Sequence, residues 1–137
     1  MRVSRRHLLA LAVLALAGCG ETRSDLKLLD ETLDQWASTV RWGEPSQLVG
    51  FIDPQLIERQ PVRQFDLERL RQLRVAGYRT QPPVMLAPDR ARQTAEVDLV
   101  NVNTQTSRST VETTEWRFDP VAKRWWLTSG LPRYDVR

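Results

Sequence analysis

Two long runs of strand-forming sequence restrict the folds open to this chain more than any other feature. Ala91 to Val102 and Arg108 to Phe118 each run about eleven residues, roughly twice the usual five or six. In the first run Ala95, Val97 and Leu99 alternate with Thr94, Glu96, Asp98 and Val100. Successive side chains on a strand point to opposite faces, so one face is apolar and the other wet. Strands this long twist and bend, which makes one face of their sheet concave and leaves a hollow for a helix.

A segment able to fill that hollow lies upstream. From Asp25 onward, Leu26, Leu29, Leu33, Trp36 and Val40 fall at steps of three and four, the spacing of one helical face. Ser24 or Asp25 is placed to cap the start, and Gly43 with Glu44-Pro45 stops the helix. The same stripe would suit a coiled coil, but it is short for one, and packing on the sheet is the expectation. Gln47 to Ile52 is a second short apolar piece. Asp53-Pro54 then supplies an N-cap and a first-turn proline for Gln55 to Arg59, and Leu67, Leu70 and Leu73 suit a brief helix over Asp66 to Leu73. Strand texture begins at Val75 to Thr80 and Val84 to Leu86, continues through the two long runs, and ends with Arg124 to Ser129. Proline cannot donate to a ladder, so Pro82-Pro83 belongs at an edge or bulge. Ala87-Pro88-Asp89, Asn103-Thr104-Gln105 and Asp119-Pro120 supply turn chemistry. Helices first and an antiparallel meander afterwards define the α+β class, with N-terminal helices packed on a curved antiparallel sheet.

Trp116-Arg117-Phe118, Asp119-Pro120-Val121-Ala122-Lys123 and Arg124-Trp125-Trp126-Leu127 form an aromatic hairpin close to the end of the chain. With the helices before it, this ending resembles the nuclear transport factor 2-like cone fold over roughly Asp25 to Leu131. The likeness implies N-terminal helices lying in the hollow of a bent sheet. Enzymes of that fold usually work through a buried carboxylate, often joined by histidine or tyrosine. The tryptophan-rich ending is also similar to that of small lipoproteins of Gram-negative bacteria, a likeness that brings no activity with it.

The first eighteen residues carry Arg2, Arg5 and Arg6 and no acid, followed by the apolar run Leu8 to Ala17. That is the make-up of a signal peptide, and ten apolar residues are about half of what a transmembrane helix requires. Leu16-Ala17-Gly18-Cys19 resembles the bacterial lipobox: a branched apolar residue, two small ones that suit a peptidase cleft, and a thiol that accepts diacylglycerol. The resemblance implies cleavage between Gly18 and Cys19 and lipidation of Cys19. Two or three acyl chains then hold the domain to the bilayer far more firmly than one. The expected organisation is a leader (1–18), lipidated Cys19 with a short tether (19–24), one domain (25–131) and a tail (132–137). Fully extended, Gly20 to Ser24 reach less than about 20 Å, so the domain is expected close to the membrane. Ser4-Arg5-Arg6-His7-Leu8-Leu9 is similar to the twin-arginine export motif, while the strongly apolar run behind it favours the general route. Gly20 stands where an aspartate retains lipoproteins at the inner membrane in the enteric sorting pattern, which favours the outer membrane, with the domain facing the periplasm.

Cleavage removes three of the 20 basic residues and none of the 17 acids, leaving a neutral mature chain. Nucleic acid is thereby excluded as a partner, because no net positive field remains. Cleavage also removes His7, the only histidine, and lipidation consumes Cys19, the only cysteine. No disulfide is open to the mature chain, and its stability must come from a packed core. No metal or other cofactor is expected: histidine and free thiol are gone, no Asp-x-Asp-x-Asp-Gly loop occurs, and no glycine-rich phosphate loop is present. No Gly-x-Ser-x-Gly elbow supplies a nucleophile.

The remaining candidates for chemistry are carboxylates and one phenol: Asp98 and Glu96 on one long strand, Glu112 and Glu115 on the next, and Tyr78. Glu96 and Asp98 share the wet face, which favours solvation over catalysis. Trp125 and Trp126 are adjacent on a strand and must face opposite ways, so one of them leaves the main core, to serve as an interface anchor, to touch headgroups or to pack beneath other chain. Residues 59–79 carry a net +4 and residues 21–44 a net −3, a distribution that favours a salt-bridged surface. Two function classes follow. One is a non-catalytic accessory domain that binds an envelope protein or a small ligand. The other is a cone-fold lyase or isomerase with Asp98 or Glu112 as general base. An acid at the bottom of a closed cavity beside Tyr78 or an arginine favours the enzyme, and a hollow filled by Leu29, Leu33 and Trp36 opposes it.

Overall fold

Helix α1 (Arg5–Trp42) supplies the apolar wedge on which the fold is assembled. The structure, a computed structural model, describes residues 5–136, with side chains from residue 20 onward. Leu29, Leu33 and Trp36 are buried on one side of α1, as their spacing predicts, whereas Leu26 is exposed. The expected start also differs. Ser24 and Asp25 lie inside α1 rather than capping it, and Gly20 to Ser24 are helical rather than an extended tether. At 1.5 Å per residue those five residues span about 8 Å. The sequence before them is rich in leucine and alanine, strong helix formers, so Gly18 and Gly20, each costing about 1 kcal/mol against alanine, are not enough to break the ladder. Residues 20–24 are exposed, and the Asp25 carbonyl accepts a hydrogen bond from Trp125 Nε1 of the sheet at 2.9 Å.

At the other end the Gly43 N–H bonds to the Thr39 carbonyl at 2.8 Å, and Glu44 opens helix α2 (Pro45–Leu48) through a reciprocal cap with Gln47. A 3₁₀ turn (Val49–Phe51) leads to helix α3 (Pro54–Arg59), and helix α4 (Gln64–Arg71) follows. Asp53 caps α3 as expected, accepting from Gln55 N at 2.9 Å. The same carboxylate takes Arg117 Nε at 2.9 Å, tying the helical layer to the sheet. Burial works against the charge on Asp53, but the Arg117 and Gln55 hydrogen bonds outweigh it and hold the carboxyl below its usual range.

Strands β1 (Leu73–Thr80), β2 (Val84–Ala87), β3 (Arg90–Asn101), β4 (Ser107–Asp119) and β5 (Arg124–Leu127) form a strongly curled antiparallel sheet in the order β1-β3-β4-β5. The class is α+β, as expected. β3 and β4 pair along almost their whole length, from Arg90 opposite Arg117 to Val100 opposite Ser107. β2 is not a separate rung of the meander. It continues the edge begun by β1, with Thr80 opposite Ala95 and Val84 opposite Arg92, and Pro82-Pro83 lies in the gap between them.

The concave face carries two clusters. Around α1, Trp36 meets Trp116 edge-on at 5.7 Å and Phe51 at 5.4 Å between ring centroids, with Trp125 and Leu127 packed beside them. Further along β3, Ala95, Val97 and Leu99 pack with Tyr134. Trp125 is buried, and Trp126 lies half-buried on the other face with the Arg124 guanidinium 3.8 Å from its ring centre. Gly130, at φ +78°, turns the chain back after β5 with a backbone that glycine adopts without strain. Residues 131–136 then cross the sheet as a strap outside any helix or strand.

Candidate functional site

Glu112 is the acid that the fold takes inside. On β4 it shares a face with Thr114, Trp116 and Phe118, all buried, so the parity that sends the tryptophan inward sends the carboxylate inward too. Tyr134 Oη, from the strap, donates to Glu112 Oε2 at 3.1 Å. The Tyr78 hydroxyl, on β1, also interacts with Glu112, and itself accepts Trp36 Nε1 at 3.0 Å. Burial pushes the Glu112 carboxyl above its ordinary value, against the pull of hydrogen bonds from Tyr78 and Tyr134. Burial likewise pushes both phenols up, and the facing carboxylate adds to the shift. The tyrosines therefore stay protonated as donors, and Glu112 is the group of the three with a reason to change state.

Asp98, the other proposed base, points the opposite way. It lies on the outer face of β3 with Arg79 Nη1 at 2.5 Å, Arg79 Nη2 at 3.1 Å and Ser109 Oγ at 2.6 Å. Hydrogen bonds from Arg79 and then Ser109 bring its carboxyl down to about 2. Glu96 shares the same arginine at 2.6 Å, and Glu115 pairs with Arg92 at 2.7 Å. Gly77, beside the β1 bulge, clears room for this cluster: a Cβ there would lie 2.5 Å from Asp98 Oδ2. Tyr78 and Asp98 were candidates for one site, and the sheet separates them onto its two faces. Three of the six arginines in the basic stretch form salt bridges: Arg63 with Asp66, Arg71 with Glu44, and Arg79 with the two outer acids.

The hollow over Glu112 is occupied. Leu29, Leu33 and Trp36 fill one half and Tyr134 the other. Two larger cavities open on the flanks of the strap. One, about 580 Å³, lies between α3, α4 and the strap, lined by Leu56, Val62, Arg69 and Arg133 among others. The other, about 780 Å³, lies between the end of α1, α4 and β1, lined by Trp42, Arg74 and Val75 among others. Leu70, Pro132 and Tyr134 line both, and Glu112 lines neither. An acid beside Tyr78 is thus present, as the enzyme reading asks, but beneath packed side chains and without an open space over it.

Tyr134 was not foreseen as a site residue. It follows Gly130-Leu131-Pro132 in a stretch with no period, and the expected tail is in fact part of the packing. Glu112 could have been ranked above Asp98 by counting faces back from Trp116. Leu16, Ala17, Gly18 and Cys19, the residues that resemble a lipobox, lie outside the described side chains. Among the described residues no three metal-ligating side chains come together, and no helix is long and apolar enough to cross a membrane. No protein-family model matches the chain, and no curated protein matches it.

Proposed function

We propose that this protein is a lipid-anchored domain of the bacterial envelope that binds a partner or a small ligand without transforming it. The observation that carries the non-catalytic reading is the filled hollow: Leu29, Leu33, Trp36 and Tyr134 stand where a cone-fold enzyme would receive substrate. The anchor rests on Leu16-Ala17-Gly18-Cys19, and Gly20 favours the outer membrane. The curled sheet with a helix in its hollow supports the likeness to the nuclear transport factor 2-like cone, and the likeness to small Gram-negative lipoproteins rests on the tryptophan-rich ending.

Growth with labelled palmitate tests the anchor: the wild type takes label, and Cys19→Ala loses both label and membrane retention. A mutant that still fractionates with membranes contradicts the anchor. Cross-linking in the intact envelope tests the binding role. The expected result is the same neighbour in repeated captures, and the recovery of lipid alone opposes it.

The lyase or isomerase reading is favoured by one observation, the inward carboxyl of Glu112 with its raised pKa beside Tyr78. It requires the strap to leave the hollow during each turnover, and a proton-transfer activity lost in Glu112→Gln would establish it.

A further inference from the structure

The groove between the end of α1, α4 and β1 leaves positive charge unmet. Three arginines line it, Arg41, Arg71 and Arg74, against one acid, Glu44, three charges against one and so a net of +2. Arg71 and Glu44 are 3.7 Å apart, and both are exposed. Arg74 forms no salt bridge among the described residues. Arg41 is the most constrained of the three. Its guanidinium carbon lies 4.6 Å from the centre of the Trp42 ring, Nη2 reaches the Ala76 carbonyl at 3.5 Å, and Nε is buried without an acceptor. An unmet donor on a buried charged group is costly. On the sheet the protein meets its arginines: Arg79, Arg92 and Arg117 each bond a carboxylate at 2.9 Å or less.

The walls of the same groove are aliphatic. They come from Val40 of α1, Leu48 of α2, Leu70 of α4, Leu73 and Val75 of β1, and Val102 just beyond β3. Val102 is 45% exposed and Trp42 75% exposed, so apolar surface is left facing water, where covering it is favourable. The groove's volume, about 780 Å³, falls within the roughly 300–1,000 Å³ of small-ligand sites. Aliphatic walls impose no ring plane and accept a flexible alkyl chain, and a guanidinium matches a carboxylate through charge-assisted hydrogen bonds.

We infer that this groove binds a free fatty carboxylate, with its head group met by Arg41 and Arg74 and its chain along the aliphatic walls. The inference rests on the binding role proposed above and names the ligand class for it. The plain alternative is a solvated seam between the helical layer and the sheet.

The lipidated full chain, held in nanodiscs of zwitterionic phospholipid, is titrated with dodecanoate below its micellar concentration, with empty nanodiscs as the partition blank. The Nε–H NMR signals of Arg41 and Arg74, assigned with Arg41→Gln and Arg74→Gln, report on the site. The expected result is saturable binding that shifts both signals. Dodecanol, which lacks the charge, and hexanoate, which lacks chain, are expected to bind at least about tenfold more weakly, and dodecylammonium not at all. Each glutamine variant is expected to weaken dodecanoate binding about tenfold, the loss of one hydrogen bond to a charged group. Binding of any of the three control compounds as tight as that of dodecanoate overturns the inference, and so does an unchanged affinity in Arg74→Gln. A shift of the same signals in nanodiscs of anionic phospholipid, with no dodecanoate present, assigns the arginines to the membrane surface and overturns it too. If Arg41→Gln does not fold, Arg74→Gln, at an exposed position, decides together with the wild-type series. Failure of dodecanoate alongside a reproducible envelope cross-link removes this inference and leaves the binding role standing.

Discussion

The two halves of the concave face are built on opposite principles. Beneath α1 the contact is apolar and aromatic, with Leu29, Leu33 and Trp36 against Trp116, Trp125 and Leu127. Beneath the strap it is partly polar, with one phenol inserted between aliphatic side chains and a buried carboxyl. The first half draws its stability from area removed from water, which has no preferred direction. The second depends on directed hydrogen bonds, from Tyr134 and from Tyr78 to the same carboxyl, and each works only in one geometry. One half is set up to stay closed, and the other is closed only as long as one tyrosine remains in place.

The largest expected effect lies in the first half. Trp36→Ala is expected to lower unfolding free energy by about 3–5 kcal/mol, the range for deleting a fully buried tryptophan, read by urea denaturation. The change also takes the Nε1 donor from Tyr78. A loss below that of Tyr134→Phe would reverse the ranking of the two halves. Tyr134→Phe keeps the ring and removes only the hydroxyl while Tyr78 still donates to Glu112, so the cost should be about 0.5–1.5 kcal/mol, that of one ordinary hydrogen bond. It should appear first as faster hydrogen exchange in residues 131–136, with α1 unchanged. Equal loosening of α1 and the strap would mean that the halves are one cooperative unit.

The same contrast explains what could be read from the chain alone. The stripe from Leu29 to Val40, the Asp53-Pro54 cap and the alternation along Ala91 to Val102 were legible because each depends on a local period or a local hydrogen bond. The edge position of Pro82-Pro83 was legible because a missing donor restricts where a residue can lie. The N-terminal limit of the sheet-bound helix was not, since propensity carries the helix through Gly20 to Ser24 regardless of contact. The strap was least legible. Tyr134 is brought to Glu112 by a left-handed turn at Gly130 and by the depth of a hollow that takes four strands to make, and neither quantity is written in the residues around it. Glu112 was half legible, because its face follows from Trp116, while its partner does not.

A third test concerns Glu112. Its folded pKa lies above the ordinary value of 4.5, so the native state holds this proton more tightly than the unfolded chain does. The group's contribution is most favourable below the unfolded value and declines as pH rises towards the folded one. Glu112→Gln cannot ionise, and its stability should stay flat through that window while the wild type falls. The gap between them, measured by denaturation at successive pH values, reports how strongly the strap half resists a buried charge. A wild-type curve as flat as that of the variant would mean that water reaches the carboxyl and that this half is more open than the other.

The smallest expected effect comes from the outer face, and its sign is the reverse. Asp98 has a folded pKa of about 2 against an ordinary 3.8, held there by Arg79 and Ser109. The unfolded chain takes up this proton first as pH falls, so the stabilisation is present above 3.8 and is lost between that value and about 2. Asp98→Asn should lack that acid-side loss and show little change at neutral pH, where exposed ion pairs contribute weakly and salt screens them. Asp98 and Glu112 lie on adjacent paired strands, one facing water and the other the strap. Their effects on stability should therefore add in the double variant: the acid arm disappears with one substitution and the decline above 4.5 with the other. If Asp98→Asn also altered the decline assigned to Glu112, the two faces of the sheet would be electrostatically coupled, and the curled sheet would no longer separate a polar interior from a polar surface.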